Sequence, residues 1–200
     1  MDFLVAVNTV LNRLGEDSVA SLDESNSSVP TVLPLFEMYR EQLLQQGWYF
    51  NKFQIEVPKD IVSNGYNLGP QALAFEPTTP VKGVLSRGGQ YLVDPHWGSI
   101  QHRDMPDKIT GWVTTDMNWE ELPVLAQQWV LWSVAADMCT QRFGDQSAQT
   151  QFCLSKVQQL EPQMHLDHAR SKQYRLTSHR AFACGGDILE FNGSNYVFRG

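Results

Sequence analysis

The chain has 200 residues, 42% hydrophobic and 18% charged, with 22 acidic residues against 15 basic ones and a net charge of −7. This composition fits one well-buried core, or one core with a smaller lobe, and excludes a wholly disordered chain. The acidic balance argues against a protein that grips nucleic acid through a phosphate-neutralising surface.

The first stretch, "MDFLVAVNTVLNRLGED", has no basic start and interrupts its apolar run with Asn8, Asn12 and Arg13, so no secretory signal is expected. No run reaches the roughly 20 apolar residues of a membrane span. Leu4, Val7, Leu11 and Leu14 recur at spacings of three and four, which predicts a helix over about 2–14 that Gly15 ends. A polar link, "EDSVASLDESNSS", leads to a second helical pattern over about 29–46 with Val32, Phe36, Tyr39 and Leu43 on one stripe. Pro30 and Pro34 are tolerated only near a first turn, which favours a start nearer Pro34.

Gly47 stops that helix, and "WYFNKFQIEV" changes to alternation. Trp48 and Phe50, then Phe53, Ile55 and Val57 after a one-residue offset, are the inward positions expected of a strand. Gly47, Trp48 and Phe50 are read as a seam between helices and sheet, or as the core face of one strand, and the two readings are compatible. From 58 to 118 the chain is short extended pieces divided by Pro and Gly, which predicts a small antiparallel sheet with long loops. Its strongest hairpin signal is Arg87-Gly88-Gly89 followed by Tyr91, Val93 and Asp94-Pro95.

Helical character returns at about 119, with a broad apolar face from Leu122 through Ala126, Val130 and Ala136 up to Gly144. A fourth helix is expected over about 145–170, with Phe152, Val157, Leu160 and Met164 on its stripe and Pro162 kinking or splitting it. The tail "DILEFNGSNYVFRG" reads as a hairpin around Gly193-Ser194. The fold class is therefore α+β: a four-helix bundle with an antiparallel β insertion between helices two and three and a C-terminal β-hairpin tail. By residue, 1–47 with 119–170 form the bundle, 48–118 the insertion and 171–200 the tail.

Four stretches in this order, "AVNTVLNRLGEDSVASLDE", "QGWYFN", "SRGGQYLVD" and "LPVLAQQWVLWSVAADMCTQRFGD", resemble the tail tubular protein A family, the head-to-tail adaptors of short-tailed phages. The likeness spans most of the chain and departs from the family pattern between 58 and 86 and after about 175. It implies a virion tail protein assembled in the host cytoplasm. It further implies a twelve-subunit ring between the portal protein and a tail nozzle of the tail tubular protein B type, near the attachment of the tail fibres. DNA would pass through the ring without specific binding, and a negative subunit suits such a channel because like charge keeps phosphates from sticking.

None of these stretches is a catalytic signature, and no cofactor or metal is expected. Asp116, Glu120 and Glu121 invite a glycosidase reading, but Glu120 and Glu121 are adjacent and better explained as favourable charge at a helix N-terminus. His165 and His168 lie a turn apart without a completing zinc spacing, and His96 and His102 have no nucleophile motif nearby. Cys139, Cys153 and Cys184 follow no CxxC spacing, and the first two read as small buried apolar groups. The tail breaks the acidic background: Arg170, Lys172, Arg175 and Arg180 alternate with Tyr174 and Phe182. With Ile188, Phe191, Tyr196 and Phe198 of the hairpin, they are the expected partner-binding residues, a docking arm for the portal. The expected function is thus a structural adaptor. The alternatives are an envelope glycan-degrading hydrolase carried by the tail and a neck completion protein that binds the portal alone.

Overall fold

The structure, a computed structural model, describes residues 1–23, 28–60, 65–78, 84–85, 91–93, 106–183, 188–192 and 195–199. Helix α1, Phe3–Arg13, starts where the Asp2 carboxylate accepts the N–H of Leu4 at 2.8 Å, which satisfies a donor that has no partner inside the helix. It ends at Gly15, whose φ of 75° lets the N–H groups of Gly15 and Glu16 turn back onto the carbonyls of Asn12 and Leu11.

Helix α2, Val29–Gln45, begins earlier than the sequence suggested. Pro30 occupies its first turn, where no intrahelical N–H is required, and Pro34 sits further in on the exposed side, giving up one backbone bond without ending the helix. Val7, Val10 and Leu11 of α1 and Val32, Phe36 and Leu43 of α2 are buried. These two helices pack on each other and on α3, Val124–Phe143.

The expected alternation beginning at Trp48 is corrected. Residues 49–51 form a turn, and strand β1 is Lys52–Pro58. The offset in the pattern is this turn rather than a bulge. Along β1 the inward face is graded: Phe53 is exposed, Ile55 half-buried and Val57 buried. β1 pairs with β5, Lys108–Thr115, which also pairs with β2, Ala72–Pro77, giving an antiparallel sheet ordered β1-β5-β2. Val57 faces Ile109, and Phe75 faces Val113. With Tyr66, Ala72 and Leu92 these residues make a second core cluster. Strands β3, Val84–Leu85, and β4, Leu92–Val93, pair antiparallel as the hairpin reading expected. The Arg87-Gly88-Gly89 turn and Asp94-Pro95 lie outside the described residues.

A 3-10 turn, Trp119–Glu121, precedes α3, so the third helix is shorter than the run of apolar residues implied. Pro123 at its N-cap has an extended backbone and separates the two. Helix α4, Ala148–Ala183, runs further than the expected 145–170 and contains Pro162. Strands β6, Ile188–Asn192, and β7, Asn195–Arg199, pair antiparallel with Phe191 opposite Tyr196, as the tail pattern predicted. The chain divides into two compact units, Met1–Glu161 and Pro162–Gly200. The fold is α+β, with an antiparallel three-stranded sheet in the first unit.

Gly111 lies at the middle of the central strand, opposite both Ile55 and Pro77. A Cβ there would overlap the Phe75 ring and lie 2.6 Å from the Glu76 carbonyl oxygen. Gly111→Ala should therefore destabilise the fold by about 2 kcal/mol, in the range of overpacked cores. Urea unfolding checks this, and an unchanged midpoint would show that the sheet relaxes freely.

Candidate interaction surfaces

Gly47 has a φ of 70°, a conformation that a residue with a Cβ adopts only under strain. It turns the chain from α2 into the aromatic run. The Trp48 ring is buried and its Nε1–H donates to the Leu43 carbonyl at 2.9 Å. Phe50 stacks against it with interplanar angle 2° and centroids 6.5 Å apart. The decisive polar residue beside them is Asn51, which sequence reasoning passed over although it closes the "QGWYFN" stretch. It is fully buried. Its Nδ2 donates to the carbonyls of Leu44 and Thr115 at 2.8 and 3.1 Å, while its Oδ1 accepts the Trp48 N–H at 2.8 Å. One carboxamide thus ties the end of α2, the turn and β5.

The three acids before α3 are brought close in sequence but separated in role. Asp116 accepts from Arg40 Nη1 at 2.5 Å, and Arg40 also donates to the Met117 carbonyl and to Glu37. Burial works against the Arg40 charge, but hydrogen bonds and charges from Glu37 and Asp116 outweigh it and raise its pKa. Glu121 closes a capping box, its Oε2 accepting the Asn118 N–H at 2.9 Å. The N-terminal placement of Glu120 and Glu121 holds, on the 3-10 turn rather than on α3. Asp116 and Glu121 are each held by a structural partner, Asp116 by Arg40 and Glu121 by the Asn118 N–H.

Glu120 is exposed at the edge of a cleft of about 200 Å³ lined also by Phe3, Phe36, Glu37, Arg40, Asn118 and Trp119. The three rings meet here, Phe3 to Phe36 at 5.2 Å edge-on and Phe36 to Trp119 at 5.5 Å edge-on.

The other end of α1 carries a different cluster. The Arg13 guanidinium lies 4.9 Å from the Phe152 ring centre and 5.4 Å from that of Trp132, and Lys156 Nζ lies 5.4 Å from Phe152. Phe152, expected on the buried stripe of the fourth helix, is 40% exposed. The pattern misled because a ring one position from Cys153 rotates about 100° away from the buried line. The pairing of Arg13 with Trp132 and Phe152 escaped the sequence reading, since a cation beside a ring leaves no periodic signal.

Cys139 and Cys153 are buried free thiols, as expected. Burial, reinforced by Cys139, pushes the Cys153 thiol up to about 11. His165 and His168 fall a turn apart on α4, while His96, His102 and Cys184 lie outside the described residues. Among the described residues no three His, Cys, Asp or Glu side chains cluster as metal ligands, and no helix is long and apolar enough to cross a membrane. Of the tail residues, Arg170 is exposed, and Lys172, Tyr174, Arg175, Arg180 and Phe182 lie on α4 rather than beyond it. Ile188 and Phe191 are on β6, Tyr196 and Phe198 on β7.

Several polar side chains of the first unit, Arg40, Asn51 and Gln127 among them, join one element of an α+β fold to another. The sequence profile described as Tail tubular protein matches residues 4–174, and the chain belongs to that family, phage tail structural proteins. It is also 25% identical over 183 residues to Tail tubular protein A of Klebsiella phage KP34, covering 90% of this chain and 93% of that protein.

Two outcomes test this geometry. Trp48→Ala removes a buried ring and its hydrogen bond, and should cost about 3 to 5 kcal/mol in denaturant unfolding. For Cys153 the neutral thiol is the form the fold favours, so its contribution is whole below the ordinary pKa of 9.0 and is lost as pH rises through about 11. Melting temperature should fall over that alkaline window, and less steeply in Cys153→Ala. Equal slopes in the two proteins would remove the buried thiol as the cause.

Proposed function

We propose that this chain is the adaptor that joins the portal vertex of the phage head to the tail nozzle, as a twelve-subunit ring through which DNA passes. The observation that carries the reading is membership of the tail tubular family across residues 4–174. In this reading α1 to α4 make up a four-helix bundle, with 48–118 as its β insertion facing neighbouring tail parts, including the fibre attachment region. The net charge of −7 suits a wall that DNA passes without being held. The cations from Arg170 to Arg180, with the aromatic residues among them and the β6–β7 hairpin, are the arm that docks on the portal. Ring formation at the neck requires two unlike side surfaces on each subunit.

The experiment is assembly with portal protein. Electron microscopy should show a ring seated on the portal. A chain ending at residue 170 keeps the core of the first unit and should remain folded, while its affinity for portal falls by about tenfold or more. Arg175→Glu with Arg180→Glu should slow association in a salt-dependent way. Full portal binding by the folded, shortened chain would remove the arm from the docking contact.

A further inference from the structure

The two ends of α1 carry surfaces of opposite character. At its start the cleft is aromatic and acidic, with Glu37 and Glu120 beside Phe3, Phe36 and Trp119. At its finish Arg13 and Lys156 lie against the Trp132 and Phe152 rings. Phe3 and Arg13 are separated by about 15 Å along the helix at 1.5 Å per residue. One body thus presents two different, chemically complementary poles.

We propose that copies of this chain meet head to tail, the cationic aromatic cluster at the C-terminal end of α1 in one copy entering the acidic aromatic cleft at its N-terminal end in the next. This rests on the ring reading and assigns the surfaces that make the ring. A cluster meeting its own duplicate would bring Arg13 and Lys156 against like charge and stop at two copies. Joining unlike surfaces repeats, and closes into a ring when the rotation from one copy to the next closes. Arg40 does not repel the incoming cation strongly, because Glu37 and Asp116 already neutralise it. Glu120, exposed at the edge of the cleft, is left to face the cation.

The surroundings of the cluster have the composition of a contact. Between Val124 and Leu160 only Asp137, Arg142, Asp145 and Lys156 are charged, while Phe143, Phe152 and Leu154 stay exposed. Charge depletion with exposed aromatic rings marks the centre of protein interfaces.

The test uses two reversed forms of the full chain, Arg13→Glu with Lys156→Glu, and Glu37→Gln with Glu120→Lys. Each alone should keep its melting temperature within a few degrees and lose self-association by about tenfold or more in sedimentation velocity, because like charges then meet at every junction. Mixed in equal amounts, the two should regain assembly, since each reversed surface now finds its opposite on the other form. Arg13→Gln with Lys156→Gln should give an intermediate loss, and added salt should shrink the differences. Wild-type-like assembly by either reversed form, or folded forms that mixing does not restore, would overturn the contact. In that case rings of the unaltered chain would leave the ring reading standing. An unaltered chain that stays monomeric both alone and on portal would overturn both.

Discussion

The first unit depends on the way a buried carboxamide, Asn51, reconciles a helix with a sheet. A helix leaves its last carbonyls without partners, and a buried carbonyl without a partner is costly. Asn51 adds a donor to Leu44 O, which also accepts the Gly47 N–H, and it reaches Thr115 O at the end of the central strand as well. Its oxygen holds the Trp48 N–H, and its own backbone carbonyl accepts from Thr115 N–H at 2.8 Å. The direction of β1 follows from this junction, and so does the position of the three-stranded sheet against the end of α2. The carboxamide is fully buried, and exclusion of water strengthens each of these bonds.

Charge is used sparingly and locally around this frame. Arg40, braced by Glu37 on its own helix, bridges α2 to the segment after β5 through Asp116 and the Met117 carbonyl. Glu16, near the end of α1, receives Ser28 Oγ at the start of α2 and Arg142 at the end of α3, so one carboxylate joins three helical ends. These bonds fix the relative rotation of the helices, which apolar packing alone specifies loosely. The consequence is a subunit whose α1 ends differ chemically. That asymmetry is what the proposed ring would draw on, because closed rings are made of repeated contacts between unlike surfaces.

Several elements were legible because they obey a period or a stop signal. The helix over about 2–14, its end at Gly15, the pairing across Arg87-Gly88-Gly89 and the terminal hairpin all matched simple local rules. The later start expected for the second helix failed at Pro34, which lies inside α2, since the loss of one N–H bond is small beside the bonds and packing of the remaining turns. Pro162, expected to kink or split the fourth helix, lies within α4 where the two compact units meet in sequence. Trp48 and Phe50 looked like strand residues because large rings favour strands, but Asn51 captured the backbone of Trp48 and made a turn.

The sequence by itself determined the α+β class, the order of helices and strands, the burial of Cys139 and Cys153 and the family to which the chain is similar. Those features are written in spacing, in Gly and Pro punctuation and in composition, all of which act over a few neighbouring residues. Only the tertiary structure decided that Asn51 closes the helix–sheet junction, that Arg40 serves Asp116 across 76 positions of sequence, and that Arg13 lies over Phe152 on a helix far along the chain. A hydrogen bond or a cation against a ring is made in space, and its partner is chosen by how the helices and sheet pack. No local pattern in either segment carries that choice.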